Sequence, residues 1–160
     1  MSNQELSNYF AENQARFYRL AYSYLRERED ALDAVQSAVC RALEKARTLK
    51  SRDALHTWFY RILVNECLDR LRARKRVVFV SPEQLDAGSY EDPQPADDTL
   101  ARRVDGLPPE IQTIIRLRFY EERSLQEIAA ITGCNLNTVK TRLYGGLRKL
   151  RVSLESEETL

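Results

Sequence analysis

The chain has 160 residues, of which 43% are hydrophobic and 31% charged, and its formal net charge is +1. This composition fits a globular protein with one medium or two small domains. The mean hydropathy of −0.51, without an apolar run near the roughly 18 residues of a membrane span, argues against a transmembrane helix. The N-terminus lacks the basic start and apolar stretch of a secretory signal, so we expect a cytoplasmic protein.

Cysteine and histidine usage argues against disulfide, metal and catalytic sites. Cys40, Cys67 and Cys134 are too far apart for a disulfide framework or the close pairs of a zinc site. We therefore expect reduced, mostly buried thiols. His56 is the only histidine, and neither a G-x-S-x-G nor an H-E-x-x-H motif surrounds it. We expect no cofactor, no metal, no small-molecule substrate and no enzymatic activity.

Charge is distributed unevenly along the chain. Residues 1–76 carry a net charge of +5, residues 77–100 carry −6, and residues 101–160 carry +2. Two basic modules that flank an acidic connector predict contact with nucleic acid at two separate places. We place the domain boundaries at the same positions, which gives an N-terminal domain, a linker and a C-terminal domain.

The N-terminal domain is predicted to be all helical, because apolar residues recur at three- and four-residue spacing. A first helix spans about 4–26. A second begins near Asp30, whose carboxylate we expect to cap it. Its alanine-rich face is opposite a polar face that is either simply solvated or an acidic docking surface. That polar face comprises Asp30, Asp33, Ser37, Arg41 and Glu44.

A third helix is predicted from about Asp53, a plausible cap, to Arg76. Beside its broad apolar arc is a narrow strip with Trp58, Arg61, Asn65, Asp69, Arg72 and Arg76. Trp58 is either a core residue or an aromatic platform for unstacked bases, which bind in cationic grooves. The arginine run that ends the helix could be a solvated helix end, but beside this strip phosphate contact is the better interpretation.

The connector Ser81–Thr99 contains three prolines, one glycine and six acids, which is typical of a flexible linker. With a flexible length of roughly 24 to 28 residues, the linker would average about 30 Å from end to end, with a contour near 90 Å. Its carboxylates either keep a spacer solvated or imitate the charge of nucleic acid.

The C-terminal domain carries the signals of a helix-turn-helix. Pro108 and Pro109 predict a helix start. Ser124 and Glu127 form a capping box that opens a short helix, and Gly133 can end it in the left-handed conformation. After this turn, which is typical of the motif, a third helix begins with polar and basic residues that could enter the major groove.

The third helix could instead be an ordinary amphipathic core helix, although residues 140–151 hold five cations and no acid. Asn135 can cap it, and the glycine pair Gly145-Gly146 lies inside it. Each interior glycine costs about 1 kcal/mol relative to alanine. We therefore expect the pair to loosen or bend the helix, and the residues before it to be the more dependable groove residues.

Three phrases of the sequence stand in a distinctive order: FYRLAYSYLREREDALDAVQSAVCRALEKA, TWFYRILVNECLDRLRARKR and LPPEIQTIIRLRFYEERSLQEIAAITGCNLNTVKTRLYGGLRKLR. In these three segments and their order, the chain resembles the extracytoplasmic-function group of bacterial RNA polymerase sigma-70-type factors. The resemblance implies an all-α fold: a helical bundle (sigma region 2) over 1–76, a flexible acidic linker over 77–100 and a helix-turn-helix domain (sigma region 4) over 101–160.

The resemblance also implies partners and site residues. Core polymerase, through its β′ and β subunits, would meet Asp30, Asp33 and Gln36. The −10 promoter element would meet a loop and the third helix, through Lys50, Ser51, Arg52, Asp53, Trp58, Arg61, Asn65, Arg72, Arg74, Lys75 and Arg76. The −35 element would meet Asn137, Thr138, Lys140, Thr141, Arg142, Tyr144 and Arg148. Members of the family are commonly held inactive by an anti-sigma factor, often at the inner face of the membrane.

Two other classes of protein remain open at this point. A helix-turn-helix activator or repressor would bind a duplex operator without replacing the sigma subunit and would not need the Trp58 strip. A nucleic-acid-modifying enzyme is the third possibility, but no nucleophile, metal cluster or phosphate-cradling glycine loop favours it.

Overall fold

The computed structural model describes residues 2–80 and 103–158, which are helical apart from short connections and contain no strand. The N-terminal domain comprises α1 (Asn3–Leu25), α2 (Arg28–Glu44) and α3 (Leu55–Val80). After a helical turn at 103–105, the C-terminal domain comprises α4 (Pro109–Phe119), α5 (Leu125–Thr132) and α6 (Leu136–Glu158). The predicted all-α fold is confirmed.

The starts of the N-terminal helices differ in part from the predictions. At α1, Ser2 and Glu5 form a capping box that sequence analysis missed. The predicted cap at Asp30 is wrong, because α2 begins at Arg28 and Asp30 lies in its first turn. A carboxylate there still favours the positive end of the helix. Asp53 belongs to a 3₁₀ turn, Arg52–Ala54, that leads into α3.

Helices α1, α2 and α3 form a three-helix bundle in which each helix contacts the other two. Its centre is aromatic: the ring centroids of Phe17 and Phe59 are 4.6 Å apart, and those of Phe10 and Phe59 are 4.8 Å apart. The small side chains of α2 let it approach the other helices closely. Its fully buried residues are Ala31, Ala34, Ala38 and Ala42.

The helix-turn-helix signals of the C-terminal domain are confirmed. Ser124 and Glu127 form the predicted capping box, and Gly133 ends α5 with φ of +76°. The Asn135 carboxamide oxygen accepts a hydrogen bond of 2.8 Å from the backbone N–H of Thr138, which caps α6. The turn between α5 and α6 is therefore held by a left-handed glycine at one end and a side-chain cap at the other.

The glycine pair does not interrupt α6, which continues from Leu136 to Glu158. A Cβ on Gly146 would stand 2.4 Å from Ile111 Cγ2 and 3.1 Å from Ile115 Cδ1, whereas a Cβ on Gly145 would meet nothing within 4 Å. Gly146 thus allows α6 to cross α4 closely, which is a packing reason for a glycine inside a helix.

The two domains contact each other directly, since α5 packs against α3. The predicted acidic linker is mostly outside the described residues; α3 itself is helical four residues past the predicted boundary at 76. Among the described residues, no helix is both long and apolar enough to cross a membrane, and no group of three acids, histidines or cysteines could hold a metal ion.

The cysteines do not all match the expectation of buried thiols. Cys67 is buried and Cys134 is half-buried, but Cys40 is exposed on α2. Burial raises the pKa of the Cys67 thiol to about 12, so that thiol stays protonated and unreactive at neutral pH.

Candidate nucleic-acid interface

The described part of α6 has one buried face and one exposed polar face. Val139, Leu143 and Leu150 are buried against the rest of the domain. The exposed residues recur at spacings of three, four and seven, which places them along one face of the helix. This α6 stripe consists of Asn137, Lys140, Thr141, Tyr144 and Arg148.

The other two residues predicted on this helix lie at the edge of the stripe. Thr138 is half-buried and its backbone N–H is used by the Asn135 cap. Arg142 is also half-buried, and its Nη1 donates to Cys134 Sγ at 3.3 Å. Both residues therefore support the turn between α5 and α6, and Arg142 is directed at that turn.

On α3, three of the predicted nucleic-acid residues share a face. Arg61 and Asn65 are exposed, and Trp58 is half-buried. The Trp58 Nε1–H donates to Thr48 Oγ1 at 3.1 Å, in the segment that connects α2 to α3. Trp58 is therefore neither a fully buried core residue nor an indole free to stack on bases with all of its edges, because its Nε1–H is hydrogen-bonded to the connecting segment.

The predicted loop at 50–54 is exposed and close to α1. Lys50, Ser51 and Asp53 are exposed, and the Arg52 guanidinium forms an ion pair with Glu5 of α1. Both partners are largely accessible to solvent, so this pair adds little stability.

The arginine run at the end of α3 makes intramolecular contacts that its charge alone did not predict. Arg70 Nε donates to Glu66 Oε1 at 3.0 Å and its Nη2 donates to Ser37 Oγ at 3.0 Å. Arg72 pairs with Asp69 at 3.3 Å on the exposed surface. The side chains of Lys75 and Arg76 are outside the described residues.

Arg74 and Asp30 form an ion pair, although sequence analysis assigned them to two different partners. Arg74 Nη1 also donates to the backbone oxygen of Leu25 at 2.6 Å. Burial opposes ionisation of Asp30, but the hydrogen bond and charge of Arg74 hold the pKa of its carboxyl below the ordinary value. Neither side chain is a free surface charge.

The remaining residues predicted on α2 border a groove between α2 and α3. Asp33 and Gln36 are exposed there, beside the exposed Cys40. The wall of the groove contains the buried Glu66, whose Oε2 is 3.1 Å from Arg41 Nη1. The i,i+4 spacing of Glu66 and Arg70 was the sequence signal that could have indicated this charged wall.

Comparison with known proteins matches both domains. The family model described as Sigma-70 region 2 matches residues 9–77, and the model described as Sigma-70, region 4 matches residues 97–150. The RNA polymerase sigma factor SigV of Bacillus subtilis is 43% identical over 143 residues, which cover 89% of this chain and 86% of SigV. The ECF RNA polymerase sigma factor SigE of Mycolicibacterium smegmatis is 32% identical over 155 residues, which cover 90% of this chain and 60% of SigE.

A solved structure has the same fold. The sigma factor RpoE of Bartonella quintana, in complex with the anti-sigma factor NepR, superposes with a TM-score of 0.75 at 24% identity, over 95% of this chain and 98% of RpoE. The two region matches and the identity to SigV cover the N-terminal bundle as well as the helix-turn-helix. The chain therefore belongs to the extracytoplasmic-function sigma factors of the sigma-70 family and is an alternative sigma subunit of RNA polymerase, not a regulator that acts beside one.

Proposed function

We propose that this sigma factor reads promoter DNA with two surfaces and binds core polymerase with a third. The observation that carries the proposal is the α6 stripe, which is exposed directly after the capped turn at Gly133 and Asn135. Amides, hydroxyls and cations at the start of such a helix match the hydrogen-bonding edges of bases in the major groove. The α6 stripe then reads the −35 element, with Thr138 and Arg142 supporting it.

We assign the binding of the −10 element to α3 and the loop before it. Arg61 and Asn65 supply an exposed cation and amide, and Trp58 places an indole beside them. A cationic surface with an aromatic side chain binds unstacked bases. The exposed loop at 50–53 is the second part of this surface. Arg72 contributes an exposed cation, whereas Arg74 is used inside the bundle, where it pairs with Asp30 and donates to the backbone oxygen of Leu25.

We assign the binding of core polymerase to α2, where Asp33 and Gln36 are exposed. Acidic side chains beside a groove suit a basic partner surface, because complementary charge favours encounter and correct register. Asp30 contributes only indirectly to the binding of core polymerase, because its carboxylate forms an ion pair with Arg74.

Regulation by an anti-sigma factor is the last part of the proposal. RpoE of Bartonella quintana was solved with the anti-sigma factor NepR, and its likeness extends over both domains of this chain. We propose that an anti-sigma factor anchored in the membrane holds this chain inactive in the cytoplasm, and that the chain has no enzymatic activity of its own.

Reconstituted transcription tests the assignment. Core polymerase loaded with the chain is used to select promoters from a randomised DNA library, and run-off transcription is measured on the selected sequence. Lys140→Ala and Thr141→Val should each relax selection within the −35 element, because base-edge contacts carry about 1–3 kcal/mol of discrimination. Lys149→Ala removes the same charge from an exposed site on α6 outside the stripe and should leave selection unchanged. Unchanged selection by Lys140→Ala and Thr141→Val would refute the assignment.

A further inference from the structure

The connecting loop between α2 and α3, residues 50–54, is held at both ends by packing. Leu49 packs against the hydrophobic core just before the loop, and Leu55 is buried just after it. Between these two anchors residues 50–53 are exposed. An exposed segment without packed side chains opens locally at little cost unless a polar contact restrains it. Burial therefore fixes the ends of the connecting loop and leaves its middle to polar contacts.

An ion pair between Arg52 and Glu5 restrains the middle of the connecting loop. Arg52 Nη2 donates to Glu5 Oε1, and this contact joins the loop to the first turn of α1 across 47 positions of sequence. Helix α1 contributes no residue to the proposed DNA surfaces. Glu5 therefore acts on the proposed −10 surface from outside it.

The Glu5 carboxylate is fixed by its own helix. Its Oε2 accepts a hydrogen bond of 3.3 Å from the Ser2 N–H, while the Glu5 N–H donates to Ser2 Oγ at 3.1 Å. The positive end of the helix also favours a carboxylate at this position. The next residue, Leu6, is 0% exposed, so the first turn of α1 is seated in the core. One oxygen of Glu5 thus caps α1, and the other is available to Arg52.

The Arg52 guanidinium has more donors than the ion pair uses. Its side chain is 71% exposed, and a guanidinium has five N–H donors in a rigid fork. The bond to Glu5 is made by Nη2 alone. Arg52 can therefore keep Glu5 and donate to a phosphate oxygen of DNA at the same time.

The strength of the ion pair suits positioning and not folding. Both side chains are at least 40% exposed, so solvent screens the pair, and exposed pairs of this kind shift an equilibrium by up to about fivefold. Such a shift is too small to decide whether the bundle folds. It is large enough to raise the fraction of molecules whose loop has one conformation, and a loop that is ordered before binding loses less freedom when it binds.

We propose that Glu5 is a positioning residue for the −10 element: through Arg52 it holds the connecting loop in the conformation that receives a base of the melted strand. The inference rests on the proposed function, which assigns this element to α3 and the loop. Glu5 does not touch DNA, because its negative charge would oppose the phosphates. Loss of the Glu5 charge therefore slows capture of the melted strand, although it also removes a repulsion.

Hydrogen exchange of the free protein, followed by mass spectrometry, tests the anchor without polymerase or DNA. In Glu5→Gln the amide oxygen can still accept from Ser2, so the cap is kept and the charge is lost. Exchange of the loop amides, including the Ala54 N–H that donates to the Ser51 backbone oxygen at 3.2 Å, should be about threefold faster than in wild type. Glu12→Gln removes the same charge from an exposed position of α1 and should exchange like wild type. Equal exchange in Glu5→Gln and wild type would overturn the anchor.

A double-mutant cycle tests whether Glu5 acts through Arg52. Opening of the −10 region is followed by permanganate reactivity in holoenzymes on the promoter that the wild type selects. Glu5→Gln should open this region about threefold more slowly, and Arg52→Gln more slowly still, since it loses the anchor and a DNA donor together. The double variant should open it no more slowly than Arg52→Gln, whereas Glu12→Gln should open it normally.

Two outcomes of this cycle would overturn the positioning role. Unchanged or faster opening in Glu5→Gln would show that Glu5 has no part in opening or only competes with DNA for Arg52. A further loss in the double variant, beyond that of Arg52→Gln, would show that Glu5 acts by another route. Normal opening by both Arg52→Gln and Trp58→Ala would instead overturn the proposed −10 surface, and exchange of the free protein distinguishes that result from failure of the anchor.

Discussion

Asp30 and Arg74 form an ion pair that joins the first turn of α2 to α3, while Arg74 also holds the backbone oxygen of Leu25 at the end of α1. One guanidinium thus connects all three helices of the N-terminal bundle. Each side chain is 37% exposed, so solvent screens the pair and its contribution to stability is modest, about 0.5–1 kcal/mol.

The first prediction separates the two acids of α2. Asp30→Lys should lower the free energy of unfolding by about 1 kcal/mol, because it replaces an attraction with a repulsion next to Arg74. Asp33→Lys, at an exposed position, should leave stability unchanged and weaken binding to core polymerase. Urea denaturation and a binding titration measure the two effects.

The exchange variant Asp30→Arg with Arg74→Asp is the control for this pair. It should recover only part of the stability that Asp30→Lys loses, because the ion pair is restored with its charges reversed but the carboxylate at position 74 cannot donate to the backbone oxygen of Leu25. If Asp30→Lys is as stable as wild type, the ion pair has no structural role and Asp30 returns to the set of free docking acids.

Sequence periodicity predicted the helices of this chain well, because it depends on residues close in sequence. Cap chemistry was correct for the helix-turn-helix, but it misplaced the start of α2 and missed the capping box of α1. Ser124, Gly133 and Asn135 each act on neighbours within four positions, and all three roles were foreseen. The α6 stripe was foreseen for the same reason.

Partners that are distant in sequence were not predictable in the same way. Arg74 meets Asp30 across 44 positions, and Arg116 meets Ser23 across 93. Charge pattern alone cannot tell a cation that binds DNA from one that fastens two helices. The close crossing at Gly146 was missed for the same reason, since the residue it accommodates is Ile111 on another helix.

The glycine pair of α6 gives the second prediction. Gly145→Ala should stabilise the C-terminal domain by up to about 1 kcal/mol, because the site is helical and open and alanine is the better helix former. Gly146→Ala should destabilise it by about 1–3 kcal/mol, because its Cβ would collide with Ile111 in a packed interface. Thermal unfolding followed by circular dichroism ranks the three proteins. Equal shifts for the two variants would contradict the close crossing.

The third prediction concerns pH. His56 Nδ1 is 2.9 Å from the Tyr9 hydroxyl, and burial, followed by the charges of Arg123 and Arg16, lowers the pKa of His56 below its ordinary 6.5. Between the folded and unfolded pKa values the unfolded chain binds more protons, so stability rises with pH in that window. The contribution of neutral His56 to the free energy of unfolding should be fully present above about pH 7 and should decrease as the pH falls through 6.5.

His56 is the only histidine of the chain, which makes the test specific. The free energy of unfolding of wild type should decline between pH 7 and pH 5.5, whereas that of His56→Gln should stay level over the same range. Below about pH 5 both proteins should lose stability as carboxylates protonate. Parallel curves for the two proteins above pH 5.5 would exclude His56 as the source.

The fourth prediction distinguishes two roles of Trp58. Its indole ring can contact unstacked bases, and its Nε1–H holds Thr48 at 3.1 Å. Trp58→Phe keeps an aromatic ring but loses the hydrogen bond, and Thr48→Val loses the same hydrogen bond with the indole intact. Trp58→Ala removes both. If base contact dominates, opening of the −10 region should be near normal in Thr48→Val, mildly slowed in Trp58→Phe and at least tenfold slower in Trp58→Ala, because base–aromatic stacking contributes about 1–3 kcal/mol.

Permanganate footprinting of holoenzyme–promoter complexes measures opening, and a filter-binding assay at low temperature checks that closed complexes still form. If Thr48→Val slows opening as much as Trp58→Ala does, Trp58 acts by positioning the connecting segment, and the stacking role is rejected.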